Sequence, residues 1–229
     1  GDAGGGLRVE LSRATGAARL VVVEPGRLPL AAKSTHARAM EFFERYGAAF
    51  GVDRPAEELA PLSSRRDRLG AEHLSFGQRH RGLPVFAAVL RVHFDADGRL
   101  TAVNGAFVPD VDVATDPAVS AELAAEAAVA LVAKHEALDR GRLAVAEREL
   151  VVFREGLVRG VAGEAHLAWQ LEVGDGLAVR QLVLVDAATG RALDRISLAH
   201  DLRRQIHERR QPNPIWTEGD ALPYSGGAS

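Results

Sequence analysis

Two His-Glu pairs and three spaced histidines are the residues of this chain whose types and spacing bear on chemistry. A zinc hydrolase of the H-E-x-x-H kind needs two imidazoles one helical turn apart, so that both reach one metal. It also needs a carboxylate beside the first, to reach the metal-bound water. His135 and Glu136 begin that pattern, but position 139 is Asp; His207 and Glu208 begin it again, but position 211 is Gln. Neither ligand set is complete, and both pairs are expected on solvated segments. His73, His80 and His93 fall on neighbouring candidate strands, and a hairpin would bring His80 towards His93. Their ligand spacing is undefined, so they are expected to be exposed strand histidines, with a three-histidine metal site the weaker reading. Asp110 and Asp112 sit in a Pro-rich stretch and are expected to be turn formers. No Gly-x-Ser-x-Gly elbow and no glycine-rich phosphate loop followed by Lys occurs. The chain has no Cys, which excludes thiolate nucleophiles, thiolate metal sites and disulfides. No catalytic residue, no bound metal and no cofactor are therefore expected.

The composition points the same way. Of 229 residues, 47% are apolar and the net charge is −3, which fits a soluble globular chain and gives no basic excess for nucleic acid. No apolar run reaches the length of a membrane span, and no signal peptide is visible.

The elements that would position a functional surface can be read from periodicity. Residues 7–11 and 19–23 are predicted strands around Thr15-Gly16. A helix is predicted over 35–50, capped by Ser34 or Thr35, with Met40, Phe43, Gly47 and Phe50 on one face. Residues 53–70, with Pro55, Pro61 and a charged run, are predicted to be loop with one short helical turn. From residue 72 the period becomes two. Leu74, Phe76 and Gln78 alternate with polar residues, and Phe86, Ala88, Leu90, Val92 and Phe94 are assigned one face of the next strand. Arg81-Gly82 and Asp95–Gly98 mark turns, and residues 99–108 form a third strand. After a boundary at Pro109–Pro117 comes a helix over 120–137, with Leu123, Ala127, Ala130 and Leu131 as its apolar stripe. Strands then recur over 143–153, 165–173 and 178–197. Both halves thus run helix, then hairpins, and the Asp-Gly-Arg turn at Gly98 has a counterpart at Gly190. The predicted class is α+β, as two tandem modules over 7–110 and 117–200, each a helix on a curled antiparallel sheet. They are flanked by a flexible stub over 1–6 and an extended tail over 201–229.

The segment from Ala39 to Val52 and the segment from Leu69 to Gly105 resemble the fungalysin–thermolysin propeptide module. The elements carrying the resemblance are Phe50-Gly51, Gln78 followed by Gly82-Leu83-Pro84-Val85-Phe86, Asp97-Gly98, and Val103-Asn104-Gly105. Residues 120–200 are similar, more loosely, to the PepSY module that follows it in such pro-regions, through residues 167–173 and 184–193. Both modules are cystatin-like in the family. The tail resembles a connector into a mature protease, with Glu218-Gly219 in the usual form.

The resemblance implies a pro-region acting as intramolecular chaperone and inhibitor of a cognate secreted zinc metalloprotease. Its partner would be that catalytic domain, in cis or after autoprocessing, and the zinc would belong to the partner. It implies a secreted, periplasmic or cell-surface location. The tail would lie in the protease cleft, with His207 towards the zinc, Ile215 and Leu222 as pocket residues and Trp216 as an anchor. Gln78, Arg79, Arg81 and Asn104 are the polar residues of the module surface. The other reading is a free-standing periplasmic or surface-anchored protein that binds a protease in trans.

Overall fold

The computed structural model describes residues 6–198 and two short segments, 205–206 and 216–217. In order, the elements are β1 (Leu7–Leu11), β2 (Ala18–Val23), α1 (Thr35–Tyr46), α2 (Pro55–Glu58), β3 (Leu59–Arg66), β4 (Glu72–His80), β5 (Leu83–Phe94) and β6 (Leu100–Gly105). There follow α3 (Ala121–Glu136), β7 (Ala144–Arg154), β8 (Ala165–Gly174), β9 (Arg180–Asp186) and β10 (Ala192–Ser197), then the pair β11 (Gln205–Ile206) and β12 (Trp216–Thr217). The fold is α+β with a curled mixed sheet. Its strands run β1-β2-β6-β5-β7-β8-β9-β10, and β4, with β3 outside it, pairs with β5.

Helix α1 starts where Ser34 accepts a hydrogen bond from the Ala37 N–H, and it gives way to a 3-10 turn at Gly47. A Cβ at Gly47 would lie 2.9 Å from the Val52 carbonyl oxygen, so glycine lets the chain fold back there. Ala39, Phe42, Phe43 and Phe50 pack on Val21, Phe76, Leu90, Val92 and Val103 as one core. A second core lies under α3, where Ala124, Ala125, Ala128 and Val132 meet Leu171, Val173, Val183 and Val185. The small alanines let the helix sit close to the strands. Its exposed side includes Leu123, 58% accessible, so the predicted stripe was rotated from the true one. Most positions of α3 are apolar, and periodicity alone had little to choose between faces.

Two further expectations need correcting. Residues 59–66 are an edge strand rather than a loop. Pro61 is tolerated there because it sits at a register shift on the outer strand, and the arginines face water. In β5 the alternation breaks at Ala87, whose φ is +59. Val85 and Ala88 both turn into a core shared with Val108, Val113 and Val152, whereas Phe86 packs against Phe153 on another face. Beyond this kink β5 pairs in parallel with β7 at Val85 and Val152, so one sheet continues across the Pro109–Pro117 stretch.

Four hairpin tips are anchored alike. One carboxylate oxygen of Asp67, Asp95, Asp175 and Asp186 accepts backbone N–H groups two to four residues on. The Arg99 backbone N–H, then its guanidinium, holds Asp95 below the usual carboxylate range; the Val179 and Leu177 N–H groups do so for Asp175. Burial pushes Asp67 and Asp186 up, but the hydrogen bonds of His73, Leu69 and Ala71 to one, and of Thr189 and Ala188 to the other, outweigh it. Lowered carboxyls contribute stability above their unfolded range, and that stability is lost as pH falls through the folded values. Thermal melts should therefore show Tm falling below about pH 4, with a shallower fall in Asp175→Asn. A Tm that stays flat down to about pH 2.5 would contradict this.

Candidate contact surface

The β4–β5 hairpin turns at Arg81 and Gly82, with φ of +48 and +87, the left-handed pair that a two-residue hairpin needs. Beside this turn lies an open cleft of about 780 Å³. One wall is the entry to α2, where Glu58 accepts from the Asp53 and Arg54 N–H groups and Glu57 pairs with Arg54 at 2.6 Å. The other wall is Arg79–Gly82, with Arg79 donating to the Gly82 carbonyl at 3.0 Å. Val108, Asp110 and Val111 complete it. Arg81 and Asp110 make no hydrogen bond or ion pair with another described residue, so the cleft offers free charges of both signs. Such a surface suits contact with a polar segment.

Gln78 borders the cleft from beneath, with its side chain turned into the fold. It is 4% exposed, and its side chain donates to the Val108 carbonyl at 2.7 Å and accepts from the Val108 N–H at 2.8 Å. An amide in this position replaces a missing strand partner, satisfying both backbone groups of a residue leaving the sheet. The alternation of β4 points Gln78 inward with Leu74 and Phe76, and that was the available signal.

The histidines meet differently from the expectation. Arg79 pairs with Pro84, but Gly77 pairs with Val89, so β5 carries extra residues at the Ala87 kink. His93 therefore faces His73, with Nδ1 atoms 2.8 Å apart, while His80 bonds the Val113 carbonyl at 3.1 Å. His73 Nε2 contacts Asp67, and His93 Nε2 contacts Asn104 Oδ1. Burial holds His93 below the ordinary histidine range; Asn104 opposes this and the charges of His73 and Arg91 reinforce it. His135 contacts Arg195 and Glu136 at the end of α3. Among the described residues no group of three or more His, Asp or Glu is arranged to hold a metal ion, and no hydroxyl bonds an imidazole. His207, Ile215 and Leu222 lie outside the described residues; Trp216 pairs with Ile206 in the β11–β12 ladder.

Residues 57–107, which hold the β4–β5 hairpin and one side of the cleft, match the Fungalysin/Thermolysin Propeptide Motif. The chain is 30% identical over 145 residues to thermolysin of Alicyclobacillus acidocaldarius subsp. acidocaldarius, covering 61% of this chain and 25% of that protein. It is 33% identical over 73 residues to the thermostable neutral protease NprT of Geobacillus stearothermophilus, covering 31% and 13%. Among solved structures, the Bacillus megaterium YpeB C-terminal domain aligns over 81% of this chain and 74% of that one, at 14% identity and a TM-score of 0.39. The chain thus spans about a quarter of the length of the thermolysin it matches.

Proposed function

We propose that this chain, whose N-terminal region is a thermolysin-type propeptide carrying the motif at residues 57–107, works as a folding aid and inhibitor of a cognate secreted zinc metalloprotease. The motif match, together with the likeness to two proteases of that type, carries the proposal. The reading takes the chain to have no catalytic chemistry and no cofactor of its own, with zinc held by the partner domain. It takes residues 117–200 as a second, PepSY-type module. Two features support a tandem arrangement: each half has one long helix over its own strands, and the turns at Gly98 and Gly190 share an Asp anchor and a positive φ.

The physical basis is mass action. A surface that binds the native-like protease stabilises it, and tethering raises the effective concentration to roughly millimolar, so modest contacts suffice. Inhibition requires a segment in the cleft of the protease, and residues 201–229, with His207, Ile215, Trp216 and Leu222, are assigned that role. Titrating the chain against its separately prepared catalytic domain tests this. The full chain should inhibit, and a chain ending at residue 200 should inhibit at least about tenfold more weakly with an unchanged circular dichroism spectrum. Equal inhibition by the two would reject the tail's role, and no inhibition by the full chain would reject the inhibitor reading.

A further inference from the structure

The face of the sheet turned away from the aromatic core carries a charge pattern that the cleft does not use. Registry sets Arg65, His73 and His93 side by side across β3, β4 and β5, with Ser75, Arg91 and Asn104 in the adjoining row. The intervening residues, Leu74, Phe76, Leu90 and Val92, point to the core. Arg65 and Arg91 are exposed and make no hydrogen bond or ion pair with another described residue. The carboxylate facing the histidines is Asp67, and its Oδ1 is occupied by the Leu69 and Ala71 N–H groups.

The partners of the two rings decide their protons. His73 Nε2 lies 3.3 Å from Asp67 Oδ2 and His93 Nε2 lies 3.2 Å from Asn104 Oδ1. A carboxylate and an amide oxygen only accept, so both Nε2 atoms carry hydrogen. The Nδ1 atoms, 2.8 Å apart, are then a hydrogen bond only if one proton lies between them. In that arrangement three ring hydrogens are spread over four ring nitrogens, which corresponds to one positive charge on the pair, opposite Asp67. A second charge would break the N–H···N bond and add to Arg65 and Arg91, unless negative charge arrives from outside.

We propose that this face docks a carboxylate-rich segment of a protein partner, and that docking is coupled to uptake of a second proton by the His73–His93 pair. Leu62, 56% exposed and lying over Gly77, gives the site an apolar margin. The chain as a whole carries −3, so attraction for an acidic segment has to come from a local patch. Linkage sets the sign: an anion that favours the doubly protonated pair binds more tightly as pH falls, and strengthens proton binding by the same factor. The inference does not depend on the protease reading.

Anisotropy of a rhodamine-labelled hexaglutamate peptide with the full chain, at about pH 7.5 and about pH 5.5, tests it, because glutamates stay ionised at both. Binding should be at least about tenfold tighter at the lower pH. The double variant Arg65→Gln, Arg91→Gln should bind more weakly at both, and His73→Gln, His93→Gln should reduce the pH ratio to under about threefold. No binding, equal wild-type affinity at the two pH values, or a pH ratio that survives loss of both histidines would overturn the proposal. The wild-type comparison stands whether or not the variants fold.

Discussion

Gly105→Ala is expected to remove about 3–5 kcal/mol of stability, enough to lower Tm by roughly 10 °C in a chain of this size. Gly105 ends β6 at φ +136, a region that residues with a side chain essentially do not occupy. A Cβ there would lie 2.0 Å from the Val89 carbonyl oxygen, 3.0 Å from its carbon and 3.1 Å from Leu90 Cα. All three are backbone atoms of the strand that β4, β6 and β7 flank, so no rotamer change relieves the clash. Accommodating it means parting β5 from β6 and losing the Ala106 N–H bond to Val89. Gly82→Ala is the control. Its φ is +87, but nothing lies within 4 Å of the added Cβ, so only the backbone preference of about 1 kcal/mol is lost. Chemical denaturation of the three proteins checks the ranking. A Gly105→Ala chain within about 1 kcal/mol of the parent would show that β5 and β6 do not approach as described.

The residues behind this expectation also show what could be read without coordinates. Ser34 and Ser120 announced both long helices, because a hydroxyl that accepts an N–H three residues on is a local event. Leu74, Phe76 and Gln78 announced the inward face of β4, because one buried face imposes a period of two. What stayed hidden depends on contacts distant in sequence. β3 is exposed along most of its length and so has no apolar rhythm to detect. The Ala87 kink shifts the β4–β5 register, and only that shift brings His73 opposite His93. Gln78 was identified as polar within a motif, but its service to Val108, 30 residues away, is a tertiary contact. Arg79 and Arg81, at the turn that the Arg81-Gly82 pair marks, border the cleft. Of the candidate contact residues in the tail, only Trp216 falls within the described residues, so the order of strands bears on the module surface and not on the tail.

We propose that this polypeptide acts by fitting a folded surface to a protease domain. Refolding tests it most directly. The denatured cognate catalytic domain is diluted into buffer with and without an equimolar amount of this chain, and active enzyme is measured after the chain has been digested away. The account predicts that the chain raises the recovered activity at least about tenfold, since a complex formed only with the native-like state draws the equilibrium towards it. Recovery that is the same with and without the chain would contradict the account, as would peptide hydrolysis by the chain alone that a chelator abolishes.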